Sequence, residues 1–530
     1  MTKCVTQHRI IPLPFVALAL GLALCACSET SAVSEPQPRH VWTSPAGVNG
    51  VLLFQAALAG DRAILAYEQS DATGPRLLAT VYENGAFTTP VAIDPGGGTS
   101  HEHLKAALFP SGKIAFVFTQ QDASGFWVYG AMYANGQFSA PVKLVPDAGS
   151  MIDLQLAQSQ TQDFAVIASW KPNPSSAGEL WVTTMDGNGF GANQLIDDNA
   201  FGPPQLDVAR HSSESLLCLQ HSPGGTADDE LRCAWRSAGQ SAFPTPDAMP
   251  GSPLGSFMAG VSPSGAQGVV VYGVPQPTAE HHEQKGVQAV VFSGGFQPPH
   301  AFESSDTVGL GVSQIVYLDA PERAFIAFSG LDLNHFQNFL YQKWAVLSAD
   351  STFSPPQQYG SIGDTEQIRP RWIANPEGTR LAALWGSAGD GPYVSEFRDD
   401  AMQPRVPAPR GEVAYLGHSN RILIAGLGSQ SSSDVQAFVA VDGNVSGPAV
   451  VFPSLCCGAG IVPSSVAPSA LVIAGDSAHA QLALVDQSLN VAPLNVCPTG
   501  TISGAVALAP TPAFLLSCLV DSSIQLWTLP

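Results

Sequence analysis

The side chains of this chain that could do chemistry are histidines and carboxylates gathered in four short clusters. Imidazole nitrogens and carboxylate oxygens bind divalent metals and exchange protons near neutral pH. Within a cluster, a pair such as His101 with His103, or His281 with Glu283, lacks a defined third ligand, so the alternative is solvated loop residues. The candidate ligand-binding or metal-ligating residues are His101, Glu102, His103, His221, Asp228, Asp229, Glu280, His281, His282, Glu283, Asp332 and His335.

No motif of a known catalytic machinery accompanies these clusters. The chain contains no G-x-S-x-G nucleophile elbow, no H-E-x-x-H zinc motif, no phosphate-binding glycine loop and no D-x-[DN]-x-[DN]-G calcium loop. The glycine-rich segment 94–98 is interpreted as a turn between repeats. We therefore assign no catalytic residue and expect no cofactor other than a divalent metal at the clusters. This favours a protein that is not an enzyme.

The elements that must position these clusters follow from a repeated pattern. An apolar run leads into a short turn, then a bulky apolar residue, then a proline three positions later. The clearest copies are residues 82–90 and 133–141. A unit that recurs every few tens of residues is typical of a solenoid or a propeller. Looser copies are centred on Phe243, Phe296, Phe353 and Val445, and Phe190 lacks the proline.

One unit indicates four strands, over 104–109, 114–119, 126–133 and 138–144. Four antiparallel strands in 40–55 residues form a propeller blade. Only 12% of the residues are charged, and the 51 glycines and 43 prolines fit many short strands joined by tight turns. The sequence therefore predicts an all-β protein built from propeller blades.

The number of units and their closure follow from the same pattern. Nine units have a fourth strand, and the chain then ends after three strands only. The missing strand is at the other end, where Trp42 is followed by Pro45. We expect about ten four-stranded repeats, closed into one ring when the N-terminal strand completes the last blade. Two smaller propellers are the alternative.

The propeller geometry also predicts where the four clusters lie. Loops between the second and third strands of a blade share one face with the connections between blades, and this face usually binds ligands. We call it the rim face. All four clusters are predicted to lie on it, whereas His211 and His418 are predicted to lie on the opposite face.

The amino terminus is typical of an export signal. Lys3 and Arg9 precede an apolar segment over 10–24. The next residues, Leu24-Cys25-Ala26-Cys27, resemble the lipobox of bacterial lipoproteins. The resemblance implies cleavage before Cys27, which would then carry acyl chains such as palmitate, and several chains anchor a protein stably. An ordinary secretory signal followed by a free Cys27 is the alternative.

The order of segments predicts three parts. Residues 1–26 form the lipoprotein signal peptide, 27–39 the lipidated cysteine and a polar, proline-bearing tether, and 40–530 the propeller. Serine rather than aspartate at position 28 favours the outer membrane. We therefore expect an exported protein whose first partner is the membrane, held through its lipid anchor.

The charge of the chain limits its partners. Its formal net charge is −21, from 22 basic and 43 acidic residues. Such an acidic surface repels phosphate backbones, so nucleic acid is excluded as a partner. The remaining partners for an exported ring are an extracytoplasmic protein, a peptide or a glycan.

Six cysteines remain after the signal peptide and the lipidated Cys27 are removed, and an even number in an exported protein suggests disulfides. Cys218 and Cys233 fall on the second and third strands of one unit, so a cross-strand bridge is expected there. The other four fall near loops of adjacent late units and are expected to link them. A zinc site, the alternative, lacks a C-x-x-C pattern. The disulfide candidates are Cys218, Cys233, Cys456, Cys457, Cys497 and Cys518.

The blade pattern across residues 41–530 resembles sialidase-like and other bacterial surface propellers. The repeated Asp boxes of sialidases, S-x-D-x-G-x-x-W, are missing, and the nearest strings, at 70–74 and 122–127, lie between the wrong strands. No catalytic residue is therefore transferred. The resemblance implies a lipid-anchored binding or scaffold module for a protein, peptide or glycan. The alternative is a surface carbohydrate-active hydrolase or lyase, which would need two facing carboxylates.

Overall fold

The computed structural model divides into residues 1–37 and Pro38–Pro530, and the second unit is the one described. Every regular element in the described residues is a β-strand, and none of them forms a helix that could cross a membrane. The described residues are 38–529 apart from 57–60, 73, 147–148, 150–151, 174–175, 224–228, 251–256, 276–284, 303–306, 333–338, 363–369, 388–390, 428–433, 454–458, 465–466, 476–479, 498–500 and 510–513.

Blades 1 and 2 show the repeat at its most regular, with three long strands followed by two short pieces in place of a fourth strand. Pro90 and Pro141 cause this break, because proline has no N–H to donate and is tolerated only at an outer edge. The strands are β1 (Arg39–Thr43), which belongs to the last blade, β2 (Val48–Ala56), β3 (Ala63–Asp71), β4 (Gly74–Glu83), β5 (Ala86–Phe87), β6 (Val91–Ala92), β7 (Ser100–Leu108), β8 (Ile114–Asp122), β9 (Gly125–Ala134), β10 (Gln137–Phe138) and β11 (Val142–Lys143).

Blades 3 and 4 share one eight-stranded sheet. A single long strand, β16, pairs with β14 in blade 3 through its first half and with β17 in blade 4 through its second half. Here Asn193 stands where other units have proline, so the strand continues without a break. The strands are β12 (Asp153–Gln158), β13 (Phe164–Asn173), β14 (Ser176–Asp186), β15 (Gly189–Phe190), β16 (Gln194–Val208), β17 (Ser215–His221), β18 (Glu230–Arg236) and β19 (Asp247–Ala248).

Blades 5 to 9 continue the same antiparallel order. Their strands are β20 (Phe257–Val261), β21 (Gly268–Pro275), β22 (Lys285–Phe292), β23 (His300–Ala301), β24 (Thr307–Asp319), β25 (Glu322–Asp332), β26 (Phe339–Ser348), β27 (Gln357–Ile362), β28 (Ile373–Ala374), β29 (Leu381–Ser387), β30 (Gly391–Arg398), β31 (Ala401–Met402), β32 (Val406–Pro407), β33 (Arg410–Tyr415), β34 (Ile422–Leu427), β35 (Val435–Val441), β36 (Asn444–Phe452), β37 (Ala459–Pro463), β38 (Ser469–Gly475), β39 (Ala480–Asp486) and β40 (Val491–Leu494).

Blade 10 joins the two ends of the propeller. Three strands come from the end of the chain, and β1 completes the sheet by pairing with β43, with Trp42 opposite Leu526. The Oγ of Ser44 also accepts a hydrogen bond from the N–H of Ile524 at 2.8 Å. The predicted closure by the N-terminal strand is therefore confirmed. The three strands are β41 (Thr501–Ala507), β42 (Phe514–Val520) and β43 (Ser523–Leu529).

The ten blades form one ring, because hydrophobic clusters fill the junctions between consecutive blades and also the junction between blades 10 and 1. At that last junction, Leu65 and Tyr67 of blade 1 pack with Ile524 and Leu526 of blade 10. The second strands carry unbroken apolar runs because neighbouring blades cover both of their faces. In β3, for example, residues 63–67 are all fully buried. A single ring of ten blades is confirmed over two smaller propellers.

Two local signals in the sequence have a direct structural counterpart. Asn84 and Gly85 have φ values of +53° and +82°, as a two-residue hairpin turn of the left-handed type requires. The bridge between Cys218 and Cys233 joins facing positions of β17 and β18, as predicted.

A second disulfide, between Cys497 and Cys518, ties the connection after β40 to blade 10 and so links adjacent late units. Cys518, expected near a loop, lies two residues before the end of its strand. This residue lies inside β42 and is fully buried, because that strand is a second strand covered on both faces. Cys456 and Cys457 lie outside the described residues.

Candidate functional site

His101 is the predicted rim residue with the most elaborate surroundings. Its imidazole is completely buried at the junction of blades 1 and 2, with Nδ1 3.0 Å from Glu68 Oε2 and Nε2 3.5 Å from Asp94 Oδ2. The backbone N–H of His101 also donates to Glu68 Oε2 at 3.2 Å. Glu68 belongs to the second strand of blade 1, and Asp94 follows its fourth strand. The imidazole of blade 2 is therefore held between two carboxylates of blade 1.

Asp94 is the centre of this cluster. Its buried carboxylate accepts hydrogen bonds from Arg76 Nε at 3.0 Å, from the N–H of Gly96 at 3.0 Å and from the N–H of Leu77 at 3.2 Å. Burial raises the pKa of Asp94, but the hydrogen bonds and charges of His101 and Arg76 outweigh burial and hold this pKa below its usual range. Asp94 is thus kept ionised inside the junction.

Glu102 and His103 follow His101 but do not join its cluster. Both side chains are partly exposed, and His103 Nε2 lies 3.8 Å from Glu102 Oε2. All three residues lie inside β7, which begins at Ser100, so the predicted start of this first strand at residue 104 is wrong. The reason is that β8 extends to Asp122, and its backbone groups pair with His101 and Glu102.

A second cluster of the same kind lies at the junction of blades 3 and 4. His221 ends β17, and its Nδ1 is 2.8 Å from Oδ2 of Asp197, a buried carboxylate on the blade 3 half of β16. Arg232 lies 3.9 Å from Asp197 and donates through Nη2 to Glu230 at 2.8 Å. Again a histidine of one blade is fixed by a carboxylate of the preceding blade.

The remaining candidates are not brought into these clusters. Asp229 precedes β18 and is half-buried, and Asp332 ends β25. Among the described residues, no three His, Cys, Asp or Glu side chains are arranged to hold a metal ion. The predicted positions of His211 and His418 on the opposite face agree with the structure, where both lie in turns between first and second strands. Outside the described residues lie Asp228, Glu280, His281, His282, Glu283 and His335.

The residues that sequence reasoning missed are the partners: Glu68, Asp94 and Arg76 at one junction, Asp197 and Arg232 at the other. A signal existed for the two aspartates, since each lies where the chain passes from one blade to the next. At such a crossing a carboxylate can accept N–H groups that the strand ladder leaves unpaired, as Asp197 does from Asn199 at 2.7 Å.

Another carboxylate, that of the half-buried Asp207, lies on the inner strand of blade 4. It accepts the N–H of Val261 from blade 5 at 2.8 Å. Burial raises the pKa of Asp207 to about 6, although the N–H groups of Val261 and Val208 and the charge of Arg210 act in the other direction. The guanidinium of Arg210 pairs instead with Asp319 of blade 6 at 2.9 Å. Asp207 thus joins blades 4 and 5 through its hydrogen bond with the backbone of Val261.

The solved structures that this chain resembles are distant from it in sequence. Neither protein-family profiles nor curated proteins give a match. Among solved structures, a eukaryotic initiation factor is similar at 10% identity and a TM-score of 0.42, covering 76% of this chain and 88% of its own. The Dos1 propeller is similar at 9% identity and a TM-score of 0.36, covering 79% and 96%. The polysaccharide lyase Uly1 is similar at 10% identity and a TM-score of 0.35, covering 68% and 89%. At these values, function is inferred from the residues of this chain alone.

Proposed function

We propose that this protein is a lipid-anchored, extracytoplasmic β-propeller that works as a binding module for a protein, a peptide or a glycan. The observation that carries the proposal is the use of the rim histidines and carboxylates. At two junctions, His101 and His221 are each held by a carboxylate of the preceding blade, which fastens one blade to the next. A ring fastened in this way presents its loops in a fixed arrangement, which lowers the entropic cost of binding.

The same geometry gives no support to a carbohydrate hydrolase or lyase at the described rim. Sugar cleavage needs two carboxylates with the substrate between them. Glu68 and Asp94 do face each other, but the imidazole of His101 fills the space between them. A glycosidic bond has no access to both carboxylates while this ring is in place.

The anchor is tested by replacing Cys27 with serine in the full chain. Serine cannot form the thioether that carries the first lipid, so Cys27→Ser should move the protein from the membrane fraction to the soluble exported fraction. Labelled palmitate should be incorporated by the unaltered chain and not by the variant. Cys25→Ser is the matched control and should stay membrane-bound. A Cys27→Ser protein that remains in the membrane would contradict the anchor.

The binding activity is tested on the released Cys27→Ser protein with immobilised peptides and polysaccharides. We expect saturable complexes of fixed stoichiometry and no new reducing ends, unsaturated sugars or peptide fragments. The decisive control is Glu68→Gln, which keeps the shape of the cluster and removes one carboxylate. Product formation that is proportional to protein and disappears in Glu68→Gln would show an enzyme and overturn the proposal.

A further inference from the structure

A cleft of about 300 Å³ opens between blades 6 and 7 on the face opposite the rim. This is the lower end of the size range for small-molecule sites in proteins. Its walls come from the start of strand β25 and the turn before it, the end of β26, the start of β27 and the turn after β30. The residues that line it are Pro321, Glu322, Arg323, Trp344, Val346, Ser348, Ala349, Ser354, Gln357 and Asp400.

Arg323 is the unusual member of this set. Only 7% of its surface is exposed, and its guanidinium lies 5.7 Å above the ring of Phe397. One terminal nitrogen pairs with Asp400, but Nε has no hydrogen-bond partner among the described residues. Buried donors are nearly always paired, so this unpaired nitrogen, on a residue that lines a cleft, indicates an acceptor that a ligand would bring.

The charges around Arg323 indicate that this acceptor is neutral. Asp400 already balances the guanidinium, and Glu322 adds a second carboxylate to the wall. An anionic ligand would meet two negative charges against one positive charge, and like charges at short range repel. A hydroxyl or carbonyl oxygen would satisfy Nε without this repulsion.

The other walls are suited to a ligand with several hydroxyl groups. The Oγ of Ser354 accepts the N–H of Val346 at 2.9 Å, which leaves its own O–H able to donate. Ser348 and Gln357 add a hydroxyl and an amide, each of which both donates and accepts. Pro321 and Val346 supply apolar surface beside them. A sugar ring has the matching properties, because its hydroxyls donate and accept while its C–H face is apolar.

We propose that this cleft binds a single neutral sugar unit, such as one residue of a glycan chain. The inference rests on the proposed binding function and names its ligand class, at a place remote from the ion-paired clusters of the rim. Nε of Arg323 would donate to a ring hydroxyl, Asp400 and Gln357 would accept from others, and Val346 would contact the C–H face.

The test uses the full Cys27→Ser chain and four neutral monosaccharides, glucose, galactose, N-acetylglucosamine and rhamnose, titrated by calorimetry and ligand-observed NMR. Glucuronate and sulfate are the anionic comparisons. We expect at least one neutral sugar to bind and neither anion to bind. Gln357→Ala should weaken the sugar roughly threefold to tenfold, the effect of one neutral hydrogen bond. Gln358→Ala, the next residue on the same strand and outside the cleft, should leave affinity unchanged.

Two further variants test the cleft directly. Arg323→Lys removes Nε, but Arg323 is buried and this substitution carries a risk to folding. Ala349→Trp lies on an exposed wall, where the larger side chain should fill the entrance and abolish binding without that risk. The proposal is overturned if no neutral sugar binds, if only the anions bind, or if Gln357→Ala and Ala349→Trp both leave binding intact. In the last case a glycan site exists elsewhere and the binding function stands. The binding function itself fails only if peptides and polysaccharides are not bound either.

Discussion

The junction of blades 1 and 2 and the cleft between blades 6 and 7 differ in how they complete the hydrogen bonds of buried charged groups. At the junction, Asp94 is hydrogen-bonded by Arg76 and by two backbone N–H groups, and it also faces His101. At the cleft, Arg323 is equally buried, yet its Nε is unpaired and its carboxylate partner, Asp400, is 64% exposed. At the junction the carboxylate of Asp94 is buried and held by donors of the protein, and the nitrogen without a hydrogen bond is His101 Nε2. At the cleft that nitrogen is Arg323 Nε, and the carboxylate partner is exposed to solvent.

This difference distinguishes charged residues that hold the blades together from charged residues that can contact a ligand. Both regions contain an arginine, carboxylates and burial, so residue type alone does not distinguish them. A buried pair with all its hydrogen bonds made holds blades together and is costly to break. A buried donor without a partner costs stability, and an acceptor brought by a ligand would remove that cost. The comparison can be tested by removing one carboxylate from each kind of region and measuring the change in stability.

The largest effect is expected at the junction of blades 3 and 4. Asp197→Ala leaves His221 buried without its carboxylate and should lower the free energy of unfolding by about 3 kcal/mol. This is the lower end of the range for a broken buried pair. Urea unfolding followed by tryptophan fluorescence measures it. The neighbouring Asp198 is exposed, and Asp198→Ala should change stability by no more than about 0.5 kcal/mol. Equal effects of the two substitutions would show that the rim pairs do not fasten the blades.

A smaller effect on stability, one that depends on pH, is expected for Asp207. Its folded-state pKa of about 6 lies above the usual aspartate value of 3.8, so between these values the folded protein binds more protons than the unfolded chain. Stability from this group therefore rises as the pH falls from 6 towards 4, by on the order of 2 kcal/mol. Asp207→Asn should remove this slope from stability measured between pH 4 and pH 7.

Asp94 supplies the contrast to Asp207. Its pKa is held below the usual value, so its contribution is present at neutral pH and is lost only as the pH falls below about 4. Asp94→Asn should therefore leave the slope between pH 4 and pH 7 unchanged. If Asp207→Asn also leaves it unchanged, the carboxylate of Asp207 is not desolvated as the structure indicates.

The fold could be predicted from the sequence because its signals are local and repeated. Proline three residues after a bulky residue marks the outer strand at Pro90 and Pro141, and Asn84-Gly85 marks a hairpin. Trp42 and Pro45 show the same spacing, which identified the strand that closes the ring. Each of these signals lies within a few consecutive residues and does not depend on contacts between residues that are distant in sequence.

The sites could be predicted only in part, because their partners are distant in sequence. His101 was recognised as a rim residue, but its partner Glu68 lies 33 positions earlier, in the blade before it. Arg323 and Asp400 are 77 positions apart and meet only because blades 6 and 7 pack side by side. Such pairs are set by the packing of whole blades, and no short pattern in the sequence encodes that packing.

The smallest effect on stability is expected at the cleft, and it tests most directly whether the two regions differ. Asp400→Ala should lower the free energy of unfolding by about 1–2 kcal/mol, less than Asp197→Ala, because water that enters the cleft can replace an exposed carboxylate on Arg323. The same substitution removes the charge that keeps anions out. Sulfate should therefore raise the unfolding temperature of Asp400→Ala and not that of the unaltered protein, and chloride at equal ionic strength is the control. If sulfate stabilises both proteins equally, Asp400 does not balance Arg323, and the neutral ligand inferred for the cleft loses its electrostatic basis.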